Sequence, residues 1–218
     1  NPFFSKWSVK YMGLYAVITA DIIQSRKQEL PVERIEQTLA SFAGEHLVKS
    51  FSLSRGDEIQ GVVSDLSIIV SLVRRLRYVM QPFGLRMGMS IGEIEDKKLE
   101  KASTSWDLSG EVFFSARNAL DMAKKSKLSN TFFVCSDDQL STALNTSLSL
   151  LETIESGWTE KQWQAVHVYE REGTYEKAAR VLGVTAPAVQ QHCDKANWNV
   201  VRAAEKELAK LISLSLNI

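Results

Sequence analysis

Ser50-Phe51-Ser52-Leu53-Ser54-Arg55-Gly56-Asp57-Glu58-Ile59-Gln60-Gly61-Val62 decides how this chain reads. Apolar and polar residues alternate up to Ser54, the pattern breaks at Arg55-Gly56-Asp57-Glu58, and an apolar run resumes. That pattern defines a β-hairpin with carboxylates at its tip. Gly56 suits the turn because glycine tolerates positive φ and leaves room for a phosphate or a metal. One carboxylate is too few for Mg²⁺, which takes hard oxygen ligands and needs its charge balanced. Asp21 is the second candidate. It ends Leu14-Tyr15-Ala16-Val17-Ile18-Thr19-Ala20, a β-branched and aromatic run that reads as a buried strand.

Outward from the hairpin, a polar connection (Ser25-Arg26-Lys27-Gln28) leads to Pro31. Pro31 opens a helix carrying Val32, Ile35, Leu39, Phe42 and Ala43 at helical spacing. Ser64-Asp65 caps a second helix with Leu66, Ile69, Val70, Val73, Leu76 and Met80 on one stripe. Arg74, Arg75 and Arg77 lie off that stripe and are expected to be solvated. Pro82 and Gly84 stop the helix, and Leu85-Arg86-Met87-Gly88-Met89-Ser90-Ile91-Gly92 is a strand. Its glycines mark close approach of a neighbour or ligand. Residues 93–104 read as a polar loop, 112–125 as a helix, 131–135 as a strand and 137–152 as a helix. The order β-α-β-β-α-β, with further α and β, belongs to a ferredoxin-like or palm sheet. Such a sheet sets the first strand beside the hairpin and brings Asp21 toward Asp57. The expected fold class is α+β, with a palm domain over 12–153.

Composition narrows the classes. Of 218 residues 44% are hydrophobic and 24% charged, as in ordinary globular proteins. Lys+Arg and Asp+Glu balance at 26 each, so no global basic field advertises nucleic acid, and a DNA partner must rest on local geometry. Cys135 and Cys193 fall in apolar patterns and read as buried free thiols, which fits the reducing cytoplasm. His46, His167 and His192 lack zinc-ligand spacing. No apolar run is long enough to span a bilayer, so no membrane partner is expected. Residues 1–12 lack the apolar centre of a signal peptide. Met12 reads as the natural start, with residues 1–11 an extension or a vector remnant.

The motifs of the first domain resemble class III nucleotide cyclases over about residues 14–134. Ala16-Val17-Ile18-Thr19-Ala20-Asp21-Ile22-Ile23 is similar to their first strand and metal site, and Ser54-Arg55-Gly56-Asp57 to their hairpin Gly-Asp. Leu85-Arg86-Met87-Gly88-Met89-Ser90-Ile91-Gly92-Glu93 is similar to their Arg-x-Gly-x-x-x-Gly strand. Asp107-Leu108-Ser109-Gly110 and Ser115-Ala116-Arg117 resemble the entry to the next helix. With the C-terminal module described below, the layout after Met12 resembles the SatD family of bacterial proteins. The resemblance implies that Asp21, Asp57 and the Ile22 carbonyl bind Mg²⁺ that clamps a triphosphate. It further implies that Gly56, Asp107 and Arg117 contact a nucleotide, with Arg117 the catalytic candidate that neutralises transition-state charge. Glu58 is a weaker ligand candidate, because a strand neighbour points to the other face. Three departures matter. Asp107 lines up with the family's base-reading aspartate only with one residue deleted between it and Arg117. Leu53 stands where cyclases carry a base-reading lysine, and Phe113 where they carry a transition-state asparagine. Each such loss typically costs about 10²–10³ in rate, so efficient cyclase turnover is not expected.

Glu155-Ser156-Gly157-Trp158 marks a linker to a second domain over 157–218. Thr159 to Gln162 is a capping box that opens a helix with Trp163, Val166, Val168 and Tyr169. Gly173 ends it. Thr174 caps a second helix with Ala178 and Ala179, Gly183 turns, and Thr185 caps a third with Val189, Cys193 and Ala196. Helix, helix, glycine turn and capped helix make a helix-turn-helix, similar to sigma-factor region-4 and response-regulator modules. Val184 is expected to fill the helix junction. Ala186, Pro187, Gln190, Gln191 and Asp194 should face outward, with Gln190 and Gln191 able to read base edges. Lys177, Arg180, Thr185 and Lys195 are the phosphate candidates, while Glu170, Glu172 and Glu176 oppose them. Trp198, Val201, Ala204, Leu208 and Leu211 give a last amphipathic helix that docks on the first domain or forms a homodimer seam. The expected function is regulatory DNA binding gated by a nucleotide or Mg²⁺. The alternatives are an enzyme acting on nucleoside triphosphates with a regulatory helix-turn-helix, and a non-enzymatic interaction protein.

Overall fold

The structure is a computed structural model that describes residues 12–25, 30–42, 44, 46–54 and 56–217. The extension at 1–11, Arg26, Lys27 and Gln28 of the polar connection, Ala43 and Arg55 lie outside the described residues. The elements run β1 (Met12–Ile22), α1 (Val32–Ala40), β2 (Leu47–Ser54), β3 (Glu58–Val63), α2 (Ile69–Val79), β4 (Leu85–Glu95), α3 (Asp96–Lys101), α4 (Glu111–Lys125), β5 (Thr131–Val134), α5 (Asp138–Ser156), α6 (Glu160–Glu172), α7 (Tyr175–Leu182), α8 (Ala186–Lys195) and α9 (Trp198–Leu216). Short 3₁₀ turns at Leu66–Ile68 and Ser105–Asp107 precede α2 and α4. The protein is of mixed α+β class.

The described strands form one sheet in the order β2-β3-β1-β4-β5. β1 is antiparallel to both β3 and β4, and β5 joins β4 in parallel through the α4 crossover that a parallel pair requires. Central β1 is covered on both faces, which is why its sequence reads as a continuous apolar run. On one face Ala16, Ile18, Ala20 and Ile22 pack with Ile59, Met87, Met89 and Phe133 under α1 and α2. On the other, Val17 and Val62 pack with Leu108, Val112 and Ala116 under α3 and α4. Burying each large apolar side chain contributes about 1.5–3 kcal/mol, so both faces are needed to hold the sheet flat against its helices.

The expected polar loop at 93–104 is corrected. β4 runs on to Glu95, pairing Met12 with Glu95, and α3 follows with Leu99 buried. A single apolar residue per turn left too weak a periodicity to show this helix. Gly88 and Gly92 mark close approach as expected, and the neighbour is α4. A Cβ on Gly88 would strike the Ala116 carbonyl oxygen and the Leu120 amide nitrogen, and one on Gly92 would lie 3.0 Å from Val112 Cβ.

The expectation that the arginines of α2 are solvated is overturned. Arg74 is only 1% exposed. Its guanidinium donates to Glu205 of α9 at 2.8 Å and to Glu170 of α6 at 2.7 Å, and lies 4.6 Å from the centre of the Trp198 ring. Arg75 pairs with Glu170 at 3.3 Å, and Arg77 with Glu152 at 3.4 Å and with Glu155. α2 therefore has two buried sides, one against the sheet and one against the C-terminal helices. The apolar core continues from the sheet through Trp158, Trp163, Val166, Trp198, Val201 and Ile212. α9 docks within the protein as expected, packing on α2, α5, α8 and the 3₁₀ turn before α2.

His167 of α6 stacks on Tyr78 of α2 with ring centres 4.2 Å apart, and its Nδ1 is buried without a partner. Burial pushes its imidazole down to about 4, against a weaker upward pull from Glu170; Arg74, Arg171 and Arg75 add to the lowering. The folded protein thus keeps His167 neutral where the unfolded chain, with an ordinary value near 6.5, takes up a proton. Stability from this group is complete above pH 6.5 and falls as pH drops toward 4. Partial solvent screening brings the expected loss to on the order of 1–2 kcal/mol. Urea midpoints measured from pH 7 to pH 4 should show a steeper decline for the native protein than for His167→Gln. Parallel curves would remove His167 as the source.

Candidate functional site

The end of the sheet near the β2–β3 hairpin gathers the charged residues. Asp21 pairs across the ladder with Glu58 on β3 and with Arg86 on β4, so the three side chains stand in a row on the face that α4 covers. Two carboxylates directly opposite each other repel, and cations offset that repulsion. Arg117 of α4 grips Glu58 with both nitrogens, at 2.6 and 2.9 Å. Arg86 lies 3.7 Å and Lys124 of α4 3.5 Å from the Asp21 carboxylate. The Glu58 carboxylate, against a smaller effect of burial, holds Arg117 above its usual range. Arg117 and Lys124 reach the row because they are two turns apart on α4, and Gly88 lets that helix lie directly on β4.

Asp57 is one residue further toward the tip. Its backbone carbonyl accepts from the Ile22 amide at 3.2 Å, and its carboxylate accepts from the Ser25 hydroxyl at 2.6 Å. Asp21 and Asp57 thus share one end of the sheet, as expected from the strand order. Glu58, expected to face away, instead stands opposite Asp21 and engages the catalytic candidate Arg117. Alternation counted from Asp57 fails here, because Asp57 belongs to the turn and β3 begins at Glu58. Gly56 has φ +89° and open space around it, as a hairpin tip requires. Asp107 lies elsewhere: its carboxylate accepts from the Thr104 amide at 2.7 Å and caps the 3₁₀ turn, and that hydrogen bond, first among several, lowers its carboxyl. Leu53 packs against the main core and Phe113 against the core beneath α4. Two carboxylates with a backbone carbonyl are donors Mg²⁺ accepts, the rest of its shell coming from water or phosphate. Among the described residues no group of three or more His, Cys, Asp or Glu side chains is placed to hold a metal.

The C-terminal candidates fall on α6, α7 and α8. The capping box at Thr159 and Gln162 forms, with Thr159 N donating to Gln162 Oε1 at 2.7 Å. Gly173 and Gly183 are left-handed, and Thr174 and Thr185 cap the next helices through Lys177 N and Ala188 N. Ala178, Ala179, Val189 and Cys193 are buried, so α7 and α8 cross on small residues. Lys177, Arg180, Thr185, Gln190, Gln191 and Lys195 are exposed. Val184 does not fill the junction; it is 49% exposed, because its amide is turned inward to the Ala179 carbonyl and its side chain outward. Ala186, expected outside, is half-buried against the core. Two of the three acidic residues set against phosphate contact are neutralised within the protein, Glu170 by Arg74 and Arg75 and Glu172 by Arg171 at 2.8 Å. Burial alone would raise the Glu170 carboxyl, but the two arginines bring it below its ordinary value.

A mixed α+β protein with a charged sheet end and a capped three-helix unit is thus defined. The model of the SatD family matches residues 15–199, and the chain belongs to that family. No match was found among curated proteins or among solved structures. Among the described residues, no helix is long and apolar enough to cross a membrane. Cys135 and Cys193 are both free, Cys135 half-buried and Cys193 buried, and burial pushes the Cys193 thiol up to about 11.

Proposed function

We propose that this SatD-family protein is a regulatory DNA-binding protein whose α6–α8 unit is a helix-turn-helix. In this reading the sheet is a ferredoxin-like, palm-type domain that binds a nucleotide with Mg²⁺. The observation that carries it is the outer face of α8: Gln190 and Gln191 stand in solvent on a helix held from behind by Val189 and Cys193. Amide side chains on a rigid helix can donate and accept at base edges, adenine above all. Lys177, Arg180 and Lys195 supply phosphate contacts around them. At the sheet end, a phosphate chain would take over Arg86 and Lys124 from Asp21 and Arg117 from Glu58, leaving Asp21 to join Asp57 around Mg²⁺. Apolar Leu53 and Phe113 favour binding over turnover there.

One experiment tests both halves. Binding to a DNA pool should weaken steeply with salt, and Gln190→Ala with Gln191→Ala should relax sequence preference while leaving the urea midpoint unchanged. Addition of Mg²⁺ and a nucleoside triphosphate should shift the affinity of the native protein but not of Asp57→Asn. An intact protein with no salt-sensitive DNA binding ends the proposal. A nucleotide response that survives Asp57→Asn ends its gating half.

A further inference from the structure

A groove of about 650 Å³ runs between α9 and the start of α2, away from the residues assigned so far. We propose that it is a binding site for a small ligand carrying two or more phosphate groups. Arg202, Lys206 and Lys210 line it at four-residue intervals on one side of α9. Those intervals set three cations along about 12 Å of helix, longer than one phosphate and matched to a chain of them. Ser67 and Ser71 face them from the other wall, their hydroxyls donating to the Asp65 carboxylate and the Ile68 carbonyl, and Ser213 adds a third hydroxyl.

The charge balance of the groove favours an anion. Its two acidic lining residues are spent on arginines of α2, Glu205 on buried Arg74 and Glu170 on Arg74 and Arg75. Arg202 and Lys206 have no carboxylate partner among the described residues, and Lys210 holds only the exposed Glu207, at 2.7 Å. Free positive charge therefore faces the groove while the two carboxylates that line it are paired. The volume lies within the roughly 300–1,000 Å³ typical of small-molecule sites. A phosphate chain seated there would touch α9 and the 3₁₀ turn before α2 together, and so would tighten the join between the C-terminal helices and the sheet.

Calorimetric titration of inorganic pyrophosphate into the full chain, in EDTA and at low salt, tests the assignment. EDTA keeps Mg²⁺ from the sheet end, so a failure of the nucleotide reading there leaves this result intact. The native protein and Arg117→Gln, which removes a sheet-end cation, should bind with one saturable isotherm. Arg202→Gln with Lys206→Gln, both at exposed positions, should weaken it on the order of tenfold or more with an unchanged urea midpoint. Three outcomes overturn the proposal. They are no saturable binding, equal affinity in the double variant, and loss on Arg117→Gln alone. In the first case, loss of DNA retention in the double variant would make the stripe a nucleic-acid contact.

Discussion

Arg74→Ala is expected to lower the unfolding free energy by about 3–5 kcal/mol, the range for removing one partner of a buried ion pair. The guanidinium satisfies Glu205, only 8% exposed, and part of Glu170, while its plane covers the Trp198 ring. Burial already raises the Glu205 carboxyl despite Arg74, so without the arginine that group must protonate or drag α9 into water. Most of the loss is the isolated carboxylate rather than the attraction that disappears. A second variant separates the two. Arg74→Met with Glu205→Leu removes both charges and keeps apolar volume, so it should be clearly more stable than Arg74→Met alone. Urea unfolding followed by tryptophan fluorescence reads the difference, since Trp158, Trp163 and Trp198 all lie in this layer. An Arg74→Ala loss below about 1 kcal/mol would show that the pair is not the tie between α2 and α9.

Gly88→Ala should be nearly as damaging, at about 3 kcal/mol or more, although it adds one methyl group. The atoms it meets are the backbone of α4 at Ala116 and Leu120, which cannot rotate away as a side chain can. Gly92→Ala, facing the Val112 side chain, should cost markedly less. Lifting α4 also carries Arg117 and Lys124 off Glu58 and Asp21, so the Gly88 variant should lose any Mg²⁺-nucleotide response before it loses its secondary structure. Circular dichroism and urea titration of the two alanine variants provide the check, and equal losses would mean that α4 yields easily over β4.

Much of the architecture was legible because local patterns carried it. The run at β1, the break at Gly56, the caps at Thr159, Thr174 and Thr185 and the glycines at 173 and 183 each specify their conformation within a few residues. The pairing of Asp21's end of the sheet with the hairpin followed from strand order. What escaped depended on distant partners. Arg74 meets Glu205 across 131 positions of chain, and nothing near Arg74 in sequence distinguishes it from a solvated arginine. Glu58 was set aside by alternation counted from Asp57, a residue that the ladder leaves out. Asp107 was assigned by family resemblance, whereas Thr104 three residues before it already offered the capping-box pattern that the structure adopts.

The tie between Arg74 and Glu205 also orders events during synthesis. α2 leaves the ribosome long before α9 exists, so its outer side stays open to water while the helices that cover it are still being made. Closing a contact across so long a chain is entropically expensive and late. All five described strands lie within residues 12–134, but Arg74 can be desolvated only after Glu205 arrives to receive it. Maturation is thus gated by α9, and a chain interrupted before it presents α2 as an exposed, sticky surface to whatever it meets first.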